Sequence, residues 1–142
     1  MNRKLLVVLI LALVAGVITV ACDGGSKSSA SDKTISTTKS GGLTITLASA
    51  TGEVKSGDND LILMFADESG KPVDVGAASL KFHMPAMGMM AEMNDVATLT
   101  TTDTPGRYSA RVHVEMAGSW EAQVNYQGAR GTGQASMNVT AK

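Results

Sequence analysis

The residues best suited to chemistry lie in one methionine-rich stretch, residues 82–93 (FHMPAMGMMAEM), of this 142-residue chain. The stretch holds five of the nine methionines, namely Met84, Met87, Met89, Met90 and Met93. A thioether is a soft, neutral ligand that needs no deprotonation, and soft sulfur ligands favour Cu(I) over hard cations such as Mg²⁺. The stretch therefore predicts a binding site for Cu(I).

Two residues shape the backbone of this stretch. Pro85 fixes its own φ and lacks an N–H, and Gly88 permits a positive φ, so we expect a bent loop that brings several sulfurs round one point. Two other interpretations remain open, because methionine also fills irregular core gaps and also forms adaptable contact surfaces for partner proteins. The absence of Leu, Ile, Val and Phe between Met84 and Met93 favours the metal over the core.

Two histidines extend the candidate site. His83 opens the methionine stretch on the polar face of its predicted strand, where a solvated surface role is the ordinary alternative. His113 also falls on a polar face, so the two can share an ion only if their strands pair or lie close in one sheet. Met116 is a ligand or a core residue, whereas Met64 and Met137 lie within strand patterns and are interpreted as packing. The candidate metal ligands together are Met84, Met87, Met89, Met90, Met93, His83, His113 and Met116.

Alternating apolar and polar residues predict the elements that hold this stretch. No helical periodicity is present from Leu43 to Lys142, and turn residues separate seven short strands. The predicted strands are roughly 43–47, 59–66, 78–84, 96–102, 108–116, 120–126 and 134–140. We predict an all-β fold, a seven-stranded antiparallel immunoglobulin-like β-sandwich. Its largest core members are expected to be Trp120, Tyr108, Phe65 and Phe82.

The N-terminus has the layout of a secretory signal peptide over residues 1–21. Arg3 and Lys4 precede an apolar run that is too short for a clear membrane span, although an uncleaved anchor helix is the alternative. The segment from Thr19 to Cys22 resembles the lipobox of bacterial lipoproteins, whose cysteine becomes the acylated first residue. We therefore expect lipidation of Cys22 and a place in the cell envelope, anchored to a membrane and facing the periplasm or the exterior. Cys22 is the only cysteine, so no intramolecular disulfide can form.

Residues 22–42 are rich in Ser, Thr, Lys and Gly, with Ile35 as the only large apolar residue. Such a segment buries too little surface to offset its ordering entropy, so we predict a flexible tether and a folded domain at 43–142. Loss of Arg3 and Lys4 with the signal peptide leaves 10 of the 12 basic residues against 13 acidic ones, a net charge of −3. This balance argues against nucleic acid as a partner.

The sequence offers little support for catalysis. It contains no nucleophile elbow with a Ser-His-Asp arrangement, no phosphate-binding glycine motif, no HExxH motif and no EF-hand loop. We therefore predict that the protein is not an enzyme.

Several motifs together resemble the YtkA-like domain. They are Asn59–Phe65, Gly70–Val73, Leu80–Met89, Gly106–Tyr108 and Met116–Trp120. The resemblance implies a small immunoglobulin-like sandwich of secreted or lipid-anchored bacterial proteins, found also on adaptors of heavy-metal efflux pumps and related to FixH-type oxidase assembly factors. It further implies an extracytoplasmic role in handling metal, chiefly copper. Met84, Pro85 and Met87 match the family's MPxM core, whereas Met89 and Met90 stand where many members carry histidine, which shifts the site towards thioethers.

These observations favour a membrane-tethered, extracytoplasmic Cu(I)-binding protein that serves metal transfer, sequestration or efflux support. A copper pump, an oxidase-assembly factor or an efflux protein would then be its partner. The alternative is an interaction module of an envelope complex that uses the methionine stretch as a docking surface without metal. Substitution of the methionines by leucine separates the two, because leucine keeps the apolar area and loses the ligand.

Overall fold

The computed structural model describes residues 31–142, and all of its regular elements are strands. The nine strands are β1 (Lys33–Ser40), β2 (Leu43–Ser49), β3 (Gly57–Ala66), β4 (Ala77–Met84), β5 (Met93–Val96), β6 (Thr98–Thr101), β7 (Arg107–Val114), β8 (Gly118–Gly128) and β9 (Gly131–Ala141). Within 31–142, no helix is long and apolar enough to cross a membrane. The predicted signal peptide and Cys22 lie outside the described residues.

The strands form two antiparallel sheets that pack face to face. Sheet A has five strands in the order β1-β2-β3-β7-β6, and sheet B has four in the order β5-β4-β8-β9. The predicted all-β, antiparallel sandwich is therefore confirmed, with nine strands where the sequence predicted seven.

The inward-facing residues of both sheets form one core, as strand alternation requires. Trp120, Phe65, Phe82 and Tyr108 are all buried, as predicted. Phe65 makes an edge-to-face contact with Tyr108 at a centroid distance of 5.8 Å and another with Tyr126 at 5.7 Å. The first contact joins neighbouring strands of sheet A, and the second joins sheet A to sheet B.

Strand β1 corrects the predicted tether, because it lies inside residues 22–42. It pairs with β2 from Lys33 to Ser40, with the register shifting at Ile35, whose side chain packs against the core. Its threonines are β-branched and suit an edge strand, which needs few apolar residues because only one of its sides is paired. Gly41 and Gly42, at φ 59° and 76°, form the two-residue turn between β1 and β2. This Gly-Gly pair was the sequence signal for the hairpin, and the folded domain begins near residue 33 rather than 43.

The predicted strand 96–102 is also corrected, because Val96 ends one strand, β5, and Thr98–Thr101 forms another, β6, in the other sheet. β5 pairs with β4 in sheet B, and β6 pairs with β7 in sheet A. Ala97 is buried at the crossing, where its N–H donates to the carbonyl of Leu80 at 2.9 Å. Met93 consequently belongs to a strand and not to the loop that follows β4.

Candidate metal-binding site

A tight turn forms the middle of the connection between β4 and β5. The N–H of Met90 donates to the carbonyl of Met87 at 2.9 Å, and the N–H of Met87 donates to the carbonyl of Met90 at 3.2 Å. Gly88 has φ 58°, whereas Met89 has a negative φ, and these signs are those of a type II′ turn. We call residues 87–90 the methionine hairpin.

The three methionines of this hairpin are exposed. The exposed fraction is 54% for Met87, 105% for Met89 and 43% for Met90. Met87 and Met90 stand directly opposite each other in the bridge, so their side chains project to the same face with Cβ atoms roughly 5 Å apart. Two thioethers on one face and a third at the tip are a donor set that suits a soft monovalent ion.

The other methionines of the predicted site contact the core. Met84 is 2% exposed within the core, and its direct partner Met93 is half-buried against the same core. Met116 also packs against the core. The Met84 Cε packs against Gly118, where an added Cβ would lie only 3.0 Å away. The end of the Met84 side chain therefore has little free space. The structure thus divides the candidate methionines into an exposed hairpin group and a group that packs against the core.

His83 lies beside the hairpin on the outer face of sheet B. Together with Pro85, Met87 and Glu121 it lines an open surface groove of about 540 Å³. Its Nδ1 lies 3.0 Å from the Oδ1 of Asn94, its direct partner in β5. An amide oxygen can only accept, so Nδ1 donates this hydrogen bond and Nε2 is the ring nitrogen left to bind a metal.

Glu121 faces His83 from the neighbouring strand β8. A hydrogen bond from Gln123, with Nε2 3.1 Å from Oε2, and a further one from Ser136 lower the pKa of Glu121 against the opposing effect of desolvation. The carboxylate is therefore ionised at neutral pH, and it places a negative charge on the groove beside the hairpin. A cation bound there gains from that charge.

His113 lies on the outer face of the other sheet. It projects from β7 on the outer face of sheet A, and its Nδ1 is 2.8 Å from the Oδ1 of Asp58. This hydrogen bond is the main reason that the pKa of His113 is raised above its ordinary value, with desolvation opposing it. Because β4 and β7 belong to different sheets, His83 and His113 do not meet, and a site that contains both is wrong.

Other ligand types do not supply a site in the part of the chain that the structure describes. No group of three or more His, Cys, Asp and Glu side chains there is arranged to hold a metal ion. The thioethers of the hairpin, with His83 beside them, are the donors that remain. Sequence reasoning missed Asn94 and Glu121 as neighbours of His83, because their positions follow from strand pairing.

The comparison with protein families gives a match that covers most of the described strands. The profile described as YtkA-like matches residues 37–125, more than half of the chain. The match runs from the middle of β1 into β8, and it includes the methionine hairpin and both histidines. No curated protein and no solved structure gives a significant match.

Proposed function

The chain belongs to the YtkA-like family, and from that premise we propose that it is a membrane-tethered, extracytoplasmic Cu(I)-binding protein. The methionine hairpin holds the ion for transfer, sequestration or efflux support. One observation carries the proposal: Met87, Met89 and Met90 expose three thioethers within a single four-residue turn. Large apolar side chains that only fill space are seldom clustered in this way on a surface.

The backbone of the methionine hairpin holds its thioether donors close together without the ion. The two backbone hydrogen bonds between Met87 and Met90 fix the backbone of two of the three donor residues. Binding of the ion therefore orders only side chains. The unbranched methionine side chain then adapts to the ion. His83 supplies a nitrogen donor from the adjoining groove, and Glu121 contributes negative charge. Cu(I) is cargo here, and it leaves by exchange of one sulfur at a time for ligands of a partner site.

The proposal for the cell envelope comes from the sequence outside the described residues. Lipidation of Cys22 after removal of residues 1–21 would hold the domain at a membrane surface. A copper pump, an oxidase-assembly factor or an efflux protein of that envelope would supply or receive the ion. The role proposed is binding, not catalysis.

A second function is favoured by a separate observation. The exposed large hydrophobic residues in 31–142 are Met87, Met89, Met90 and Val96, and all four lie between the end of β4 and the end of β5. Val96 is 70% exposed on the same side of sheet B as Lys81. An apolar cluster of this kind also suits a metal-free docking surface for another envelope protein.

A Cu(I) titration separates the two functions. Residues 31–142, which include β1, would be titrated under reducing conditions against a chromophoric Cu(I) chelator. We expect about one equivalent bound by the parent domain and none by a variant with Met87, Met89 and Met90 all changed to leucine. The matched control, Met84→Leu, alters an interior thioether and should bind like the parent.

Two results would contradict the proposal. Full Cu(I) binding by the triple leucine variant would place the site elsewhere, and no binding by the parent would remove the copper function. In the second case the docking function predicts that the leucine variant still supports assembly of the envelope complex, since leucine preserves the apolar area.

A further inference from the structure

His83 stands between two polar neighbours on the outer face of sheet B. Asn94 of β5 is its direct partner on one side, and Glu121 of β8 is its direct partner on the other. Directly opposed side chains of adjacent strands have Cβ atoms about 4.5–5.5 Å apart, so the imidazole can reach either neighbour. The direction in which the ring turns therefore decides which of its nitrogens is free.

The ring is turned towards β5. Nδ1 of His83 lies 3.0 Å from the Oδ1 of Asn94. Glu121 is engaged in the other direction, because its carboxylate accepts hydrogen bonds from Gln123 and Ser136. The acceptor that holds the imidazole is consequently the neutral amide of Asn94 and not the carboxylate of Glu121.

The groove beside the methionine hairpin lies on the other side of the ring. It is lined by residues of β4, β8 and β9 and by Met87 of the hairpin. Asn94 belongs to β5, the edge strand on the far side of β4 from β8. The two nitrogens of an imidazole point away from each other, so a hydrogen bond from Nδ1 to β5 directs Nε2 of His83 to the groove that Met87 also lines.

The chemical nature of the acceptor affects how strongly the imidazole binds a metal. A hydrogen bond from Nδ1–H fixes the tautomer and raises the basicity of Nε2. A charged acceptor forms a stronger hydrogen bond than a neutral one, so a carboxylate raises that basicity further. Asn94 supplies the oxygen without the charge. The resulting nitrogen ligand is moderate, which suits an ion that must be given up again.

We propose that Asn94 is a positioning residue of the metal site: it directs Nε2 of His83 to the ion on the methionine hairpin, and its neutral amide keeps the release of Cu(I) fast. The inference rests on the proposed function for Cu(I) as the cargo. The orientation of the ring belongs to the protein without metal, so it can be tested when no copper is present.

The first experiment identifies the protonated nitrogen of His83 without copper. The full chain, labelled with ¹⁵N in detergent micelles, would be studied by long-range ¹H–¹⁵N correlation at a pH where the imidazole is neutral. We expect Nδ1–H in the parent. Asn94→Leu removes the acceptor at an exposed position and should move the proton to Nε2, the commoner form of free histidine, whereas Asn94→Asp should restore Nδ1–H.

The only other histidine, His113, is the internal reference, because its Nδ1 is held by Asp58 and should not respond to changes at position 94. Nε2–H in the parent protein would overturn the proposed positioning. An unchanged tautomer of His83 in Asn94→Leu would overturn it as well.

The second experiment measures Cu(I) affinity and the rate of transfer to a chromophoric chelator. Asn94→Leu should weaken binding roughly tenfold, the usual effect of losing the partner of a ligating histidine. Asn94→Asp should bind several-fold more tightly and transfer Cu(I) more slowly by a similar factor. In a His83→Ala background neither substitution should change the affinity or the rate, because Asn94 acts through His83.

The outcomes separate this proposal from the proposed function. Equal tightening by Asn94→Asp with and without His83 would show a simple effect of charge and overturn the role of Asn94. No Cu(I) binding by the parent would overturn the proposed function and the control of release with it. The tautomer of His83 is measured without copper, so the positioning by Asn94 is decided independently.

Discussion

Met84 and Met87 stand three residues apart and have opposite environments. Met84 is 2% exposed on the inner face of sheet B, and Met87 is 54% exposed on the methionine hairpin. The change happens at Pro85, which follows the last residue of β4 and cannot donate to a strand ladder. In the interior a thioether contributes dispersion contacts, whereas on the hairpin its lone pairs are open to a ligand. The same residue type thus serves packing in one region and is available for binding in the other.

The largest expected difference between the two regions is in stability. Met84→Ala should lower the free energy of unfolding by about 2–5 kcal/mol, because it removes buried contacts and leaves a cavity. Met89→Ala, at a fully exposed site, should change it by less than about 0.5 kcal/mol. Urea denaturation followed by tryptophan fluorescence measures both, since Trp120 is the only tryptophan. Similar losses for the two variants would show that the hairpin and the core are not separate.

A glycine substitution in the methionine hairpin should have the next largest effect. Gly88→Ala should cost about 1–2 kcal/mol, because alanine is strained at φ 58° although the space around it is open. The strain would disturb the Met87–Met90 bridge and weaken Cu(I) binding. Gly70→Ala is the matched control, since Gly70 has φ 84°, open space and a place in the turn after β3. It should cost a similar amount in urea denaturation and leave Cu(I) affinity unchanged, so equal affinity losses would count against the hairpin as the site.

Oxidation gives a chemical measure of the same contrast. Dilute hydrogen peroxide transfers oxygen to a thioether and yields the sulfoxide and water, at a rate that depends on access to the sulfur. Met89, Met87 and Met90 should react several times faster than Met84 and Met137 in the folded domain. Peptide mapping by mass spectrometry follows each site. The rates should converge in urea, and fast oxidation of Met84 in native buffer would indicate that the core beside the methionine hairpin opens.

The smallest effect concerns His113 on the outer face of sheet A. The pKa of His113 should lie above its ordinary value of 6.5 in an NMR titration and should fall towards it in Asp58→Asn. Because the folded-state pKa is raised, the stability from this pair is fully present below about pH 6.5 and is lost as the pH rises through the folded-state pKa. Cu(I) binding at neutral pH should not change in Asp58→Asn. A large change would bring His113 back into the site.

Local patterns in the sequence predicted much of the fold. Alternation located the strands that carry Phe82 and Trp120 and assigned both residues to the core, because the side-chain period of a strand is set within the strand itself. Gly88 marked the bend for a similarly local reason, the steric freedom of glycine at positive φ. Two strands were missed. β1 is polar and β5 has four residues, so each depends on a neighbouring strand more than on its own pattern.

The sequence by itself determined the all-β class, the faces on which His83 and His113 lie, and the concentration of thioethers before β5. Only the tertiary structure decided that Met84 is buried while Met93 and Met116 are half-buried against the core, and that the two histidines lie on the outer faces of different sheets. The physical reason is that alternation fixes which side of a strand a residue occupies, whereas the sheet that the strand joins depends on hydrogen bonds and packing between residues far apart in the chain.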